Sequence, residues 1–225
     1  MAEVLRASEF DSTLFERRIG KASVSASEAL RSLALELEEF DGAFVAVRDL
    51  SLVPAVCRMG EVGAIDPRYE FAKPDAGRGR PWPKTMRPVT DEEEIHHLVR
   101  QTFLISRFHK DPRTAGHADD LYRLWLTRGI ESGRVMAYLE DGSVTGYIFH
   151  DVDGDGSGRH VLAAVDAQVR GRGIYRAMIT ASEHAFSPGR TARGKVSVDN
   201  VGPVRVLLSL GYLVDYLETV VHVWR

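Results

Sequence analysis

Apolar residues along this chain recur at helical spacing in some stretches and gather into short β-prone runs in others, and the two kinds of segment alternate. Leu30, Leu33, Ala34, Leu37 and Phe40 predict a helix, with Ser27 placed to cap its N-terminus. A short apolar segment, 15–24, precedes it, and two strands are expected after it, at 43–47 and 52–59. Further on the pattern is regular. A strand is predicted at 86–89, and Thr90-x-x-Glu93 reads as a capping box that opens a helix running through Phe103. A second helix is predicted at 118–130, with Leu121, Trp125 and Leu126 on one face. Strands 135–139 and 144–152 form a hairpin about Asp141-Gly142, a strong two-residue turn signal. Strand 160–165 leads through a glycine-rich loop into helix 174–186, whose apolar positions are Ile174, Ala177, Met178, Ala181 and Ala185. Strand 195–198, helix 203–210 closed by Gly211, and final strands within 212–224 complete the order β-α-α-β-β-β-α-β-α-β-β.

The clearest break lies at 73–84, where three prolines and two glycines exclude both helix and central strand. It reads as a linker or exposed excursion between a small α/β N-terminal domain, 1–72, and a larger domain, 85–225. Apolar content of 44% is ample for a core, and a net charge of −3 gives no pull towards nucleic acid or anionic membrane. Cys57 is the only cysteine, so no intrachain disulfide forms and a reducing compartment is the simpler inference. No apolar run approaches the ~18 residues of a membrane helix, and no signal pattern opens the chain, so a soluble, cytoplasmic protein is expected.

Candidate chemistry concentrates at the end of strand 160–165. Gly171 and Gly173 let backbone approach a ligand, and the first amides of the following helix suit an anionic phosphate. Arg170, Arg172 and Arg176 add positive charge. The spacing fails the P-loop pattern and also Gly-x-Gly-x-x-Gly, since Arg176 stands where the third glycine belongs. Gln168-Val169-Arg170-Gly171-Arg172-Gly173 instead resembles the Gln/Arg-x-x-Gly-x-Gly/Ala signature of the GNAT superfamily of acetyl-CoA-dependent acyltransferases, and the element order is similar to theirs. More narrowly, Glu9-Phe10-Asp11-Ser12-Thr13-Leu14-Phe15 with Ile19-Gly20 resembles the opening of the TDP-fucosamine acetyltransferase family. Ser106-Arg107-Phe108, Asp111-Pro112-Arg113 and Leu121-Tyr122-x-x-Trp125-Leu126 are similar to that family's first two GNAT helices.

The resemblance implies a GNAT fold, an α/β (α+β) architecture with a mixed central sheet flanked by helices, and an acetyl transfer to an amine. Acetyl-CoA is the implied donor. Val165 and Ala167 would face the thioester and pantetheine, and Gln168, Arg170, Gly171, Arg172, Gly173, Ile174 and Tyr175 the pyrophosphate, with Asn200 nearby. The implied acceptor is a small amine, narrowly a TDP-linked amino sugar, met by Ser106, Arg107, Phe108 and His109; a homodimer is left open. Two alternatives remain beside it: transfer to another small amine, and a non-catalytic acyl-CoA-binding module.

Acid–base chemistry is less well marked. His109, His150, His160 and Asp166 are candidates to accept the amine proton, His160 foremost. In the resembled family an asparagine opens the penultimate helix and a tyrosine seven residues later acts as the acid. Asn200 matches the first, but Leu207 stands at the second, leaving Tyr212 or Tyr216, a water, or an unassisted thiolate. Asn200 also reads as a plain helix cap. Asp151-x-Asp153-x-Asp155-Gly156 begins like a calcium loop, but the twelfth position is Leu162 rather than glutamate, so no metal is expected. Arginines without aromatic stacking partners make nucleic-acid binding a poor reading.

Overall fold

The computed structural model describes residues 4–103 and 106–225. From the N-terminus the elements are β1 (Arg6–Ala7), α1 (Glu9–Phe15), β2 (Ile19–Val24), α2 (Glu28–Leu37), β3 (Gly42–Val47), α3 (Val53–Cys57) and β4 (Glu61–Lys73). They continue with β5 (Met86–Pro88), α4 (Glu93–Thr102), α5 (Arg107–Lys110), α6 (Ala118–Glu131), β6 (Val135–Glu140), β7 (Ser143–Val152) and β8 (Gly158–Val165). Helix α7 (Ile174–Ser182), β9 (Ala192–Ser197), α8 (Val201–Ser209) and β10 (Leu213–Trp224) close the chain. Packing divides it into two compact units. One comprises Met1–Tyr69, Ile105–Ala118 and Tyr216–Arg225, the other Glu70–Leu104 and Asp119–Asp215.

In the first unit β2 and β3 run parallel, joined by α2, and β10 pairs antiparallel with β3 from Thr219↔Val47 to Trp224↔Gly42. A parallel pair needs a crossover, and the amphipathic α2 supplies it while burying Leu33 and Leu37. These side chains meet Val24, Val45, Val47, Val56, Val221 and Val223 in one core cluster. The strand expected at 52–59 is a helix instead. Asp49 accepts the amide of Ser51, and Pro54 sits in the first turn of α3, where its missing N–H costs nothing. Val53, Val56 and Cys57 then stand at helical spacing. Strand β4 arises where no element was expected. Its buried positions include Asp66 and Glu70 as well as Ala64 and Phe71, so no apolar alternation announced it.

In the second unit β5, β6, β7 and β8 form an antiparallel meander, and β9 joins β8 in parallel. The Asp141-Gly142 turn is as predicted: φ is 51° and 80°, the paired positive values of a tight hairpin turn. Helix α7 is the crossover between β8 and β9, and Gly146 on β7 lets Met178 approach, since a Cβ there would lie 3.1 Å from its sulfur. The helix expected at 174–186 ends at Ser182 and tightens into a 3-10 turn, Glu183–Ala185. The expected Thr90–Glu93 capping box is replaced at the start of α4: the N-cap is Glu92, the Asp91 carboxylate before it accepts the Glu93 amide at 3.0 Å, and the Thr90 hydroxyl reaches Glu94 instead. The final strands expected within 212–224 are a single strand, β10. The Pro/Gly-rich stretch after Lys73 lies along this unit: the amides of Gly77, Arg78, Gly79 and Arg80 donate to the carbonyls of Arg190, Glu183, Phe186 and His184. Among the described residues no helix is long and apolar enough to cross a membrane.

Candidate active site

The junction from β8 to α7 is built by a few local devices. Asp166 accepts the Gln168 amide at 2.8 Å and starts a short 3-10 turn, Ala167–Val169. Gly171 and Gly173 then take φ of 83° and 84°, a left-handed conformation that favours glycine. A Cβ built at either would meet nothing within 4 Å, so both face open space. Gly173 is the N-cap of α7, and its carbonyl accepts the Ala177 amide at 3.0 Å. The amides of Ile174, Tyr175 and Arg176 precede that first intrahelical bond. Arg170 donates to the Val165 carbonyl at 3.1 Å, Arg172 reaches Glu140 at 3.4 Å, and Arg176 bonds Ser209. Three guanidinium groups therefore lie near one helix N-terminus, and the loop between them is exposed.

Beside this loop the sheet opens. The parallel register of β8 with β9 is Gly158↔Ala192, Arg159↔Arg193 and His160↔Gly194, and it stops there. On the other edge β8 stays paired with β7 as far as Gly146↔Val165, and the Asp166 amide donates to Thr145 at 2.9 Å. Backbone donors alternate between the two edges of a strand. With Asp166 facing β7, the amides of Ala163 and Val165 face the side that β9 has left. The C-terminal ends of β8 and β9 thus part between the N-termini of α7 and α8.

At the closed end of this opening lies a connected polar cluster. His160 on β8 meets the Tyr212 hydroxyl through Nε2 at 2.7 Å and the Ser182 hydroxyl through Nδ1 at 3.1 Å. Tyr212 also lies 3.1 Å from Oε1 of Glu183, which Lys73 holds at 2.8 Å. The Lys73 ammonium sits 5.4 Å from the centre of the Tyr212 ring. Burial pushes His160 down to about 3, with the charges of His150 and Lys73 adding to the effect. Burial, then the Glu183 carboxylate, hold the Tyr212 hydroxyl well above its usual range. At neutral pH this is a neutral imidazole against a protonated phenol. Both are held in the forms that make hydrogen bonds without charge.

No known family pattern matches the sequence, and no curated protein does. Solved structures do match in shape. An acetyltransferase of the GNAT family from Colwellia psychrerythraea superposes with a TM-score of 0.58 at 13% identity, over 87% of this chain and 71% of that one. A GCN5-related N-acetyltransferase from Sphaerobacter thermophilus gives 0.58 at 16% identity, over 90% and 72%. A conserved protein of unknown function from Staphylococcus epidermidis gives 0.66 at 9% identity, over 100% and 92%. The fold is the GNAT fold.

Within that GNAT fold the sequence-derived candidates fall into separate groups. Val165, Ala167, Gln168, Arg170, Gly171, Arg172, Gly173, Ile174 and Tyr175 cluster at the β8–α7 junction. Asn200 caps α8 without a side-chain bond and is exposed. His160 and Tyr212 are brought together, and Leu207 is 1% exposed on α8. His150 opposes His160 across the β7–β8 ladder, and burial pushes it down to about 4. Asp166 is engaged with the Gln168 amide and lies 3.9 Å from His97. Ser106, Arg107, Phe108 and His109 belong to the other unit. There Ser106 caps α5 and contacts His109 at 3.0 Å, Arg107 lies 3.6 Å from Asp66, and Phe108 is 1% exposed in a cluster with Phe15, Phe44 and His222. The Asp151–Asp155 carboxylates serve the hairpin: Asp151 pairs with Arg134, and Asp155 accepts the Ser157 amide. Sequence reading missed Lys73, Ser182 and Glu183, which carry no motif of their own.

Proposed function

We propose that this chain is an acyl-CoA-dependent N-acetyltransferase that uses acetyl-CoA as donor and a small amine as acceptor. The observation that carries the reading is the parting of β8 from β9 beside the Gly171/Gly173 loop. It presents unpaired backbone donors next to a helix N-terminus flanked by three arginines. The residues fit the donor. Open space at both glycines admits a pyrophosphate against the backbone, the amides of α7 complement its charge, and Arg170, Arg172 and Arg176 add to that field. The amides of Ala163 and Val165 are donors for a pantetheine amide or a thioester oxygen, where negative charge grows during attack. In the transfer a C–N bond forms as the C–S bond breaks, one proton leaves the amine nitrogen, and one ends on sulfur. His160, kept neutral, and Tyr212, kept protonated, serve here as hydrogen-bonding groups that fix the strand below the reacting atoms, and proton traffic passes through water. Asn200 lines the α8 side.

Gly173→Asp tests the donor half. It places a carboxylate and a strained left-handed residue at the loop. CoA affinity measured by calorimetry should fall at least tenfold, about 1.4 kcal/mol, with folding retained by circular dichroism. Undiminished CoA binding in the folded variant overturns the reading. CoA release with a panel of amines separates an enzyme from an acyl-CoA-binding module.

The narrower reading makes the acceptor a TDP-linked amino sugar, with Arg107 pairing its phosphates. It expects Arg107→Ala to raise the KM for that sugar while CoA affinity stays unchanged. Equal turnover of the nucleotide-free sugar discards it. Phe108, within the aromatic core, takes no part.

A further inference from the structure

The chain of contacts Ser182–His160–Tyr212–Glu183–Lys73 has a direction, because each link holds one hydrogen. Tyr212 has a single hydroxyl hydrogen but touches both His160 Nε2 at 2.7 Å and Glu183 Oε1 at 3.1 Å. Ser182 likewise has one hydrogen for His160 Nδ1 at 3.1 Å and the Ile179 carbonyl at 2.8 Å. Three hydrogens thus serve four contacts, and one contact always goes without. A bare contact at either imidazole nitrogen would set lone pair against lone pair, most severely at the 2.7 Å Tyr212 contact, the shortest of the four. The two arrangements that fill both imidazole contacts remain. In one, Tyr212 donates to His160 Nε2, the Nδ1–H donates to Ser182, and Ser182 donates to Ile179; the tyrosine oxygen then faces the Glu183 carboxylate with no hydrogen between them. In the other, Tyr212 donates to Glu183, Nε2–H donates to the tyrosine oxygen, and Ser182 turns its hydrogen to Nδ1; only the Ile179 carbonyl loses a bond. A hydrogen bond to an ionised acceptor is about twice as strong as a neutral one. The carboxylate therefore outweighs the carbonyl and selects the second arrangement.

We propose that Glu183, anchored by Lys73, is a positioning residue that acts through Tyr212 to fix His160 as its Nε2–H tautomer at the point where β8 and β9 part. Both ring nitrogens are then engaged, so the imidazole ties β8 to the end of α7 and to Tyr212. The surrounding charges leave this selection intact. His150 on β7, Tyr175 on α7 and Arg78 after β4 act on the cluster through space, without a hydrogen bond to His160. Glu183 is itself held in place, because the Arg78 amide donates to its carbonyl at 2.9 Å. The functional meaning of this tie rests on the β8–β9 opening being the donor site; the tautomer itself does not.

The test is the two-bond proton–nitrogen spectrum of the full chain labelled at its eight histidines, with His160 assigned by loss of its signal in His160→Gln. Wild type and Glu183→Gln, which keeps an acceptor oxygen, should show hydrogen on Nε2. Glu183→Leu should show it on Nδ1, because Tyr212 then has only Nε2 left to donate to. Hydrogen on Nδ1 in the wild type, or an unchanged tautomer in Glu183→Leu, overturns the proposal. Should Glu183→Leu fail to fold, Tyr212→Phe replaces it, with a shift to Nδ1–H expected and its absence equally fatal. CoA calorimetry on the wild type reports separately on the donor site. Absent CoA binding beside an Nε2–H His160 sinks the function proposed above and leaves this inference standing.

Discussion

Tyr212 and His160 show how burial changes what a residue can do. Sequence offers His160 and Tyr212 separately as acid–base candidates; the structure puts them in contact at 2.7 Å, where desolvation favours the neutral form of each. The Tyr212 hydroxyl contacts His160 and Glu183 together, so removing it leaves both short of a partner. Tyr212→Phe should therefore destabilise the protein by about 1–3 kcal/mol, the cost of leaving buried partners unpaired, read as a shift of the urea midpoint at constant slope. The histidines give a pH signature. His160 and His150 lie at about 3 and about 4 in the folded protein, below the unfolded value of about 6.5. The unfolded chain thus takes up protons that the native state refuses. The stability they contribute is fully present above about pH 6.5 and drains away as pH falls towards those folded values. His160→Gln should flatten the dependence of unfolding free energy on pH between about 6 and 4, by roughly 1.4 kcal/mol per pH unit. Parallel wild-type and variant curves would refute this.

Among the elements, those that sequence predicted are the ones whose signals are local. The Asp141-Gly142 hairpin needs only two residues with positive φ, and α2 and α6 carry their own apolar stripes. The glycine loop was legible for the same reason. Strand β4 was not, because its inward positions hold Asp66 and Glu70, and charged residues at such positions read as surface until their partners are known. Arg68 meets Glu218 at 2.6 Å, a contact across 150 positions. Segment 52–59 misled in the opposite sense: short and apolar, it fits a strand until Asp49 and Pro54 are weighed as helix-starting residues. The His160 cluster stayed invisible because Lys73 reaches Glu183 across 110 positions. Strand β8 offers an element-level test. Gly158 lies under the Phe186 ring, so a Cβ there would overlap it. Gly158→Ala should cost about 1–3 kcal/mol as an overpacked site, and Phe186→Leu in the same chain should recover part of it. Purely additive effects in the double variant would show that the two residues do not compete for space.

For the molecule as a whole, chain order and packing order differ. A division at residue 72 keeps β1 to β3 and all but the last residue of β4 together but leaves β10 with the other part, although Tyr216–Arg225 packs in the first unit. That segment contributes six register pairs to β3. It also places Val221, Val223 and Trp224, each at most 1% exposed, in the interior. His222 and Trp224 further donate to the buried Asp111 carboxylate, each at 2.8 Å. Fully burying one large apolar side chain is worth about 1.5–3 kcal/mol, so three of them approach the ~5–15 kcal/mol that holds a whole domain folded. Asp111 would also lose two of its donors, a further cost. A fragment of residues 1–72 should accordingly lack a cooperative thermal transition by circular dichroism. The full chain cut after Asp215 should lose the amide protection of β2 and β3 in hydrogen exchange. Joining residues 216–225 to the fragment through a flexible linker should bring back protection at 42–47, where β10 pairs. A fragment 1–72 that melts cooperatively without them would show that the N-terminal part is a domain in its own right.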